Sequence, residues 1–175
     1  MESKPCSLWR NGARWLALAL ALLACGPKTS FDGTTYRGDG VAFKVGKPPS
    51  TWRRMDAARG LLAFRDEASH ATILVNGRCN EDGDDVPLQA LMGHLFLRFT
   101  ERVTDEEEVV AFDGREALRT VLSAKLDGVP KRFSALVFKK DGCVYDMVLI
   151  AAPETFADVR PRFDQFVQSF HTEAR

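Results

Sequence analysis

The sequence lacks the motifs that mark common enzyme and nucleotide-binding sites. Its 175 residues contain no G-x-S-x-G, H-E-x-x-H, Walker or G-x-G-x-x-G pattern. The three histidines, His70, His94 and His171, lie on separate predicted elements, and none has a second ligand at metal-binding spacing. We therefore expect no catalytic site, no bound metal and no cofactor.

An acidic run, Asn80–Asp85, is the one segment whose composition suits a hard cation. It lacks the alternating carboxylates and the distal Glu of an EF-hand loop. A solvated turn before a helix N-terminus accounts for it without a metal, because the helix dipole favours acidic residues there. Calcium binding is the alternative.

The chain also lacks an excess of either charge and a long hydrophobic run. It has 24 basic and 24 acidic residues, interspersed along the sequence, which argues against a surface for nucleic acid phosphates. The longest apolar run in the N-terminal region, Trp15–Ala24, has ten residues. A transmembrane helix needs about 20.

What the N-terminus does contain is a basic segment with Lys4, Arg10 and Arg14, followed by that apolar run. This order predicts a secretory signal peptide over residues 1–24, with a buried N-terminal helix as the alternative. The residues Leu22-Leu23-Ala24-Cys25 resemble a bacterial lipobox. The resemblance implies cleavage between Ala24 and Cys25, a diacylglycerol thioether on Cys25, and an N-linked acyl chain such as palmitate. It places the protein in the cell envelope, anchored to the inner or the outer membrane, with its domain facing the periplasm or the exterior.

These predictions assign different roles to the four cysteines. Cys6 leaves with the signal and Cys25 carries lipid, so Cys79 and Cys143 remain in an oxidising compartment. We predict a disulfide between them, which would contribute about 4 kcal/mol by closing a long loop. Two free thiols are the alternative, because the sequence does not fix their separation.

For the rest of the sequence we predict a tether over residues 25–34 and one domain over residues 35–172. Short strands are expected over 41–45, 60–66 and 70–77. Asp-Gly pairs at Asp113, Asp127 and Asp141 recur every fourteen residues and predict tight hairpin turns. The strand after the last pair is apolar on both faces and should lie at the centre of a meander sheet.

Two helices complete the predicted fold. The spacing of Leu88, Leu91, Met92, Leu95, Phe96 and Phe99 predicts an amphipathic helix within 84–103, capped by Asp84 or Asp85. The acidic segment 104–108 should be a solvated connection. A second helix is expected from about 161 to 170, because Pro161 would interrupt a longer one. The fold class is therefore α+β, an antiparallel meander sheet sandwiched by helices.

The order of elements resembles the PsbP-like superfamily. The matching features are Tyr36, Gly38, Phe43, Val45 and Trp52, then V-x-AFDGREAL over residues 109–118, and a closing F-x-x-FVQSF over residues 163–170. The resemblance implies an α/β/α sandwich and an accessory, partner-binding role without a shared catalytic site. Trp52 follows two prolines in an irregular stretch, and its indole is expected in the core, with a binding rim as the alternative.

These observations predict a membrane-anchored envelope lipoprotein, not an enzyme, that binds an envelope protein through its single domain. A carrier that holds a small apolar ligand between helix and sheet is the alternative. An enzyme whose site residues converge from separate strands is a further alternative. An apolar pocket with a few polar groups would favour the carrier.

Overall fold

The computed structural model describes residues 29–38, 40–57, 61–79 and 85–173, and most of these described residues are in β-strands. The strands are β1 (Ser30–Phe31), β2 (Thr35–Gly38), β3 (Val41–Lys44), β4 (Trp52–Met55), β5 (Leu61–Asp66), β6 (Ala71–Cys79), β7 (Thr100–Phe112), β8 (Arg115–Leu126), β9 (Val129–Lys140), β10 (Cys143–Ala151) and β11 (His171–Thr172). The helices are α1 (Leu88–Leu95) and α2 (Pro153–Gln168).

The strands form two antiparallel sheets. The larger has the order β4-β5-β6-β10-β9-β8-β7, and the smaller has the order β1-β2-β3-β11. Strand β10 is the middle strand of the larger sheet, and its buried residues alternate between both faces. The predicted central position of this apolar strand and the meander of β8, β9 and β10 are confirmed.

The three predicted hairpin turns link β7 to β8, β8 to β9 and β9 to β10. In each turn both the aspartate and the following glycine have positive φ, the aspartates at 46°, 50° and 54°. Two consecutive residues with positive φ suit the right-handed twist of the flanking strands. Local residue chemistry therefore sets the register of more than half of the larger sheet.

The larger sheet is covered on both faces. Helix α1 packs on one face over a cluster that includes Leu122, Phe133 and Val148. Helix α2 and the smaller sheet pack on the other face over a larger cluster that includes Phe43 and Tyr145. The result is the predicted α+β arrangement, with the antiparallel sheet between helical layers.

The first helix is much shorter than the predicted span of residues 84–103. It begins after Pro87, which occupies the N-cap, and it ends at Leu95. The predicted cap Asp85 precedes the helix without capping it, and Asp84 lies outside the described residues. The apolar spacing predicted too long a helix because Phe96, after the helix end, is still buried against the sheet.

The acidic segment 104–108, predicted as a connection, lies inside strand β7. Nearly all of β7 is exposed, so its sequence carries no period-two burial pattern. Its acidic residues instead pair with basic residues of other elements, for example Glu106 with Arg160 of α2 at 2.7 Å. The prediction was wrong because these stabilising contacts are long-range.

The second helix begins at Pro153, eight residues before the predicted start, and contains Pro161. Proline at the first helical position costs no hydrogen bond, and Pro161 is exposed, so its ring meets solvent. Phe156 and Val159, upstream of Pro161, are buried in the core. Their burial outweighs the single backbone hydrogen bond that Pro161 removes.

The N-terminal end of the described chain is already folded. Strand β1 pairs with β2, and the Asp32 carboxylate accepts hydrogen bonds from the backbone N–H groups of Thr34 and Thr35 at 2.9 and 2.7 Å. The hydrogen bond from Thr35 and then that from Thr34 lower the pKa of Asp32 to about 2. Residues 30–34, assigned to the tether by composition, are thus part of the fold.

Candidate binding cleft

A cleft of about 310 Å³ lies between α1 and the larger sheet. This volume falls at the lower end of the range for small-molecule sites. Most of the lining is apolar, with two polar residues among the side chains. The lining residues are Leu61, Leu74, Asn76, Leu95, Phe96, Phe99, Phe133, Asp146, Val148 and Ile150.

The cleft exists because α1 is too short to cover its sheet face. Helix α1 lies over β8 and β9, which leaves the side toward β5 and β6 open. Leu61, Leu74 and Ile150 on this side are only half-buried, whereas Val148 beneath the helix is buried. Apolar surface that the fold does not cover is available to a ligand or a partner.

Three phenylalanines form one wall of the cleft. The ring centroids of Phe96 and Phe99 lie 4.9 to 5.5 Å from each other and from that of Phe133, mostly edge-to-face. Arg102 fixes the turn that carries Phe96, because its guanidinium donates to the Phe96 carbonyl oxygen at 3.2 Å. This carbonyl lies just past the end of α1, where backbone acceptors need partners from outside the helix. The aromatic wall is therefore held in place.

The polar end of the cleft is built on three adjacent strands. Leu61 of β5, Asn76 of β6 and Asp146 of β10 occupy directly opposed positions across the sheet. Asp146 is 4% exposed, and its Oδ2 accepts from Asn76 Nδ2 at 3.1 Å and from Arg78 Nη1 at 2.8 Å. A buried carboxylate needs such partners, because an unpaired charge away from water is costly.

The chemistry of the lining suits binding better than catalysis. The ten lining residues include one amide and one carboxylate, with no cysteine, serine or histidine. General acid–base or nucleophilic catalysis needs a second reactive group within hydrogen-bond reach. The cleft offers apolar contact with a hydrogen-bonding end.

A larger depression of about 780 Å³ lies between the start of α1 and the β7–β8 hairpin. Its lining includes Arg115, Glu116 and Lys139, and the Arg115 side chain is 54% exposed. These charged groups already meet solvent, so the site resembles ordinary surface. We regard the apolar cleft as the better binding site despite its smaller size.

An ionic cluster joins α2 to the edge strand β7, on the opposite face of the sheet. Arg160 donates to both carboxylate oxygens of Glu106, at 2.9 and 2.7 Å. This pairing lowers the pKa of Glu106 and raises the pKa of Arg160, while burial raises the pKa of Asp164. The cluster fastens the helix to the sheet edge and is remote from the cleft.

The structure brings together one pair of predicted site residues. Cys79 and Cys143 face each other across β6 and β10 and form a disulfide, with Cα atoms 4.0 Å apart. Trp52 is 6% exposed and lies in the core, the favoured of its two interpretations, and its Nε1 has no hydrogen-bond partner among the described residues. Its indole does not line the cleft.

Other predicted site residues lie outside the described part of the chain. These are the signal peptide with its cleavage point between Ala24 and Cys25, the lipidation site itself, and residues 80–84 of the acidic run. His94 is exposed on α1, as expected from its position off the apolar stripe. Within the described ranges, no three His, Cys, Asp or Glu residues are grouped to hold a metal ion. None of the helices described there is long and apolar enough to cross a membrane.

None of the cleft residues was predicted as a binding residue, although Leu95, Phe96 and Phe99 belong to the apolar pattern of the first predicted helix. One signal was present, since Asp146 is a lone acidic residue within an otherwise apolar strand. A buried acid in that position requires polar partners on the adjacent strand, and Asn76 and Arg78 supply them. The cleft itself combines residues from β5 to β10, which no local pattern reveals.

Solved structures of other proteins have the same arrangement of strands and helices as this chain. No family model and no curated protein matches the chain. Among solved structures, a cyanobacterial PsbP protein from Synechocystis sp. PCC 6803 is 18% identical, with a TM-score of 0.55 over 87% of this chain and 99% of that one. The chain has a PsbP-like fold.

Two further structures share the PsbP-like fold. A Pseudomonas aeruginosa protein of unknown function, described as a putative regulator, is 11% identical, with a TM-score of 0.55 over 86% of this chain and all (100%) of that one. LpqN of Mycobacterium tuberculosis, described as involved in cell envelope biogenesis, is 14% identical, with a TM-score of 0.53 over 91% and 97% of the two chains. Proteins with quite different sequences therefore adopt the arrangement found here.

Proposed function

We propose that this protein is an envelope lipoprotein, anchored through lipid on Cys25, whose PsbP-like domain is a non-enzymatic accessory module that binds an envelope protein. The observation that carries the proposal is the lipobox-like sequence ending at Cys25, joined to a domain that is folded by Ser30. Only four residues separate them. A lipid anchor so close to a folded domain keeps the domain at the membrane surface, where its partners are membrane proteins or other lipoproteins.

The apolar cleft beside α1 is the proposed contact site for that partner. Its half-buried Leu74 and Ile150 can accept an apolar side chain, and Asp146 and Asn76 provide polar atoms at one end. Buried apolar anchors of this kind dominate many protein–protein interfaces. LpqN, which shares the fold, is described as involved in cell envelope biogenesis, and this supports an envelope role.

Crosslinking in intact cells, followed by purification from membranes, tests partner binding. We expect the wild-type protein to recover a specific envelope protein. Leu74→Asn, in the cleft, should abolish that recovery, while Val129→Asn, at a 52% exposed position outside the cleft lining, should preserve it. Recovery that is equal for both variants would show that the partner does not use the cleft, and repeated failure to recover any specific protein would contradict the proposal.

A second candidate function, carriage of a small apolar ligand, is favoured by the volume and lining of the same cleft. It is tested by organic extraction of the purified protein and mass spectrometry of the extract. A carrier should yield one apolar compound at about one molecule per chain from wild type and Val129→Asn, and much less from Leu74→Asn. An extract identical to the solvent blank would remove this candidate.

A further inference from the structure

The end of the domain that carries β1 lies nearest to the proposed lipid anchor. Thr29, the first described residue, is four residues from Cys25. An extended chain spans at most about 3.6 Å per residue, so the two Cα atoms are within about 14 Å. Strand β1 is the edge of the smaller sheet and lies against β4 and β5, since Phe31 contacts Phe64 and the Arg54 guanidinium. The tether therefore fixes which end of the domain is close to the lipid.

That end is basic, although the chain as a whole is not. Residues 26–60 contain seven Lys or Arg and three Asp or Glu, a net charge of +4, whereas residues 61–175 contain 14 and 20, a net charge of −6. The described basic residues of this end are exposed: Arg37, Lys44, Lys47, Arg53 and Arg54. The positive charge is therefore concentrated in the segment that contains β1 to β4, which follows Cys25 directly.

The opposite edge of the larger sheet has a different character. Strand β4, with Arg53 and Arg54, is one edge, and β7, with five acidic residues, is the other. Six strand spacings of about 4.8 Å place these edges roughly 29 Å apart. That distance exceeds the Debye length of about 8 Å at physiological ionic strength, so β7 does not cancel the potential of the β1 end.

We propose that the β1 and β4 end of the domain rests on anionic lipid headgroups, with the β7 edge directed away from the membrane. This orientation rests on the proposed anchoring through Cys25. Glu173 pairs with Arg37 and Lys44 and partly offsets the positive charge, which leaves Lys47, Arg53 and Arg54 as the main contacts. Each basic residue near an anionic surface strengthens binding by about fivefold.

Lysine acetylation of the lipidated protein in vesicles tests the orientation. The two vesicle types are pure phosphatidylcholine and phosphatidylcholine with about one third phosphatidylglycerol, a fraction chosen to give the strongly negative surface that attracts basic residues. Lys47, in the loop between β3 and β4, reports on the basic end, and Lys125, at the end of β8 that pairs with Thr100 of β7, is the control. We expect the acetylation of Lys47 to slow by at least about fivefold on the anionic vesicles, while that of Lys125 stays constant.

Three outcomes would overturn the proposal. Equal labelling of Lys47 on both vesicle types, or protection of Lys125 in its place, contradicts the orientation while leaving the anchor intact. Protein that fails to float with phosphatidylcholine vesicles contradicts the anchor, and the orientation with it. High salt should remove the protection, because the Debye length falls to about 3 Å at 1 M.

A charge reversal provides an independent check. Arg53→Glu should weaken the protection of Lys47 severalfold, and the fold should tolerate it because Arg53 faces Arg65 across the sheet. Arg115→Glu, on the β7–β8 side of the sheet, is the matched control and should leave the protection unchanged. Equal effects of the two variants would show that general charge, not this surface, governs membrane contact.

Discussion

Asp113 is predicted to be a strong stabilising residue, because it ties the C-terminal strand to the first Asp-Gly turn. Its Oδ2 accepts hydrogen bonds from the Thr172 N–H at 3.1 Å, the Thr172 hydroxyl at 2.8 Å and Lys140 Nζ at 2.9 Å. His171 Nδ1 lies 3.3 Å from Oδ1. The Asp113 side chain is 11% exposed, so solvent cannot replace these partners freely.

The magnitude follows from the pKa of this carboxyl. Burial raises the pKa of Asp113, but the hydrogen bonds from Lys140, Thr172 and His171 outweigh it and lower the pKa from 3.8 to about 2. A folded-state pKa below the unfolded one means that ionisation stabilises the folded protein, by about 2 kcal/mol at neutral pH. This contribution is complete above about pH 5 and disappears as the pH falls through 3.8 toward 2.

Urea unfolding of wild type and Asp113→Asn between pH 2 and 7 measures this effect. We expect the variant to be less stable by about 2 kcal/mol at pH 7 and the difference to vanish near pH 2. Asp127→Asn is the matched control, since Asp127 occupies the same position in the next Asp-Gly turn, with φ of 50° against 46°. A difference for Asp113→Asn that does not change with pH would refute the electrostatic argument, and an equal loss for Asp127→Asn would show that the turn, not the contacts, is responsible.

Three further predictions concern stability. Reducing the Cys79–Cys143 disulfide, whose cysteines are 64 residues apart, should cost about 4 kcal/mol of unfolding free energy, and an unchanged urea midpoint after complete reduction would contradict this. Leu91→Ala, at a fully buried position of α1, should lower the free energy of unfolding by about 2–5 kcal/mol. Leu97→Ala, at a position that is 69% exposed, should be nearly neutral. Similar losses for the two variants would refute the packing of α1. Glu106→Gln should cost less than about 1 kcal/mol at low salt because its side chain is 54% exposed, and an effect that persists in 1 M NaCl would argue against its charged pairing.

The parts of the fold that local chemistry determines could be predicted from the sequence. The Asp-Gly turns at Asp113, Asp127 and Asp141 define the meander, because these pairs readily adopt positive φ. The disulfide followed from assigning Cys6 and Cys25 to other fates. The central position of β10 followed from its continuous apolar sequence, which only a strand covered on both faces can bury.

The errors arose where tertiary contacts override local pattern. The apolar spacing of α1 continues to Phe99, yet the helix ends at Leu95, because Phe96 and Phe99 pack on Phe133 from a turn. Strand β7 was missed because its pairing partners, such as Arg160 for Glu106, are distant in sequence.

The cleft could not be predicted for the same reason, because it is formed by contacts between residues that are distant in sequence. It requires the register that places Asn76 beside Asp146, and the open space left by a short helix. Neither feature can be deduced from a single segment.

We propose that lipid on Cys25 holds this PsbP-like domain at the envelope membrane. Intact mass spectrometry of protein extracted from membranes tests it directly, with Cys25→Ser as the control. We expect a mature chain that begins at Cys25 and carries the mass of a diacylglycerol with or without an N-linked acyl chain. The Cys25→Ser protein should be neither processed before residue 25 nor acylated there. A wild-type chain with an unmodified Cys25, or a Cys25→Ser protein still cleaved before residue 25 and firmly membrane-bound, would contradict it.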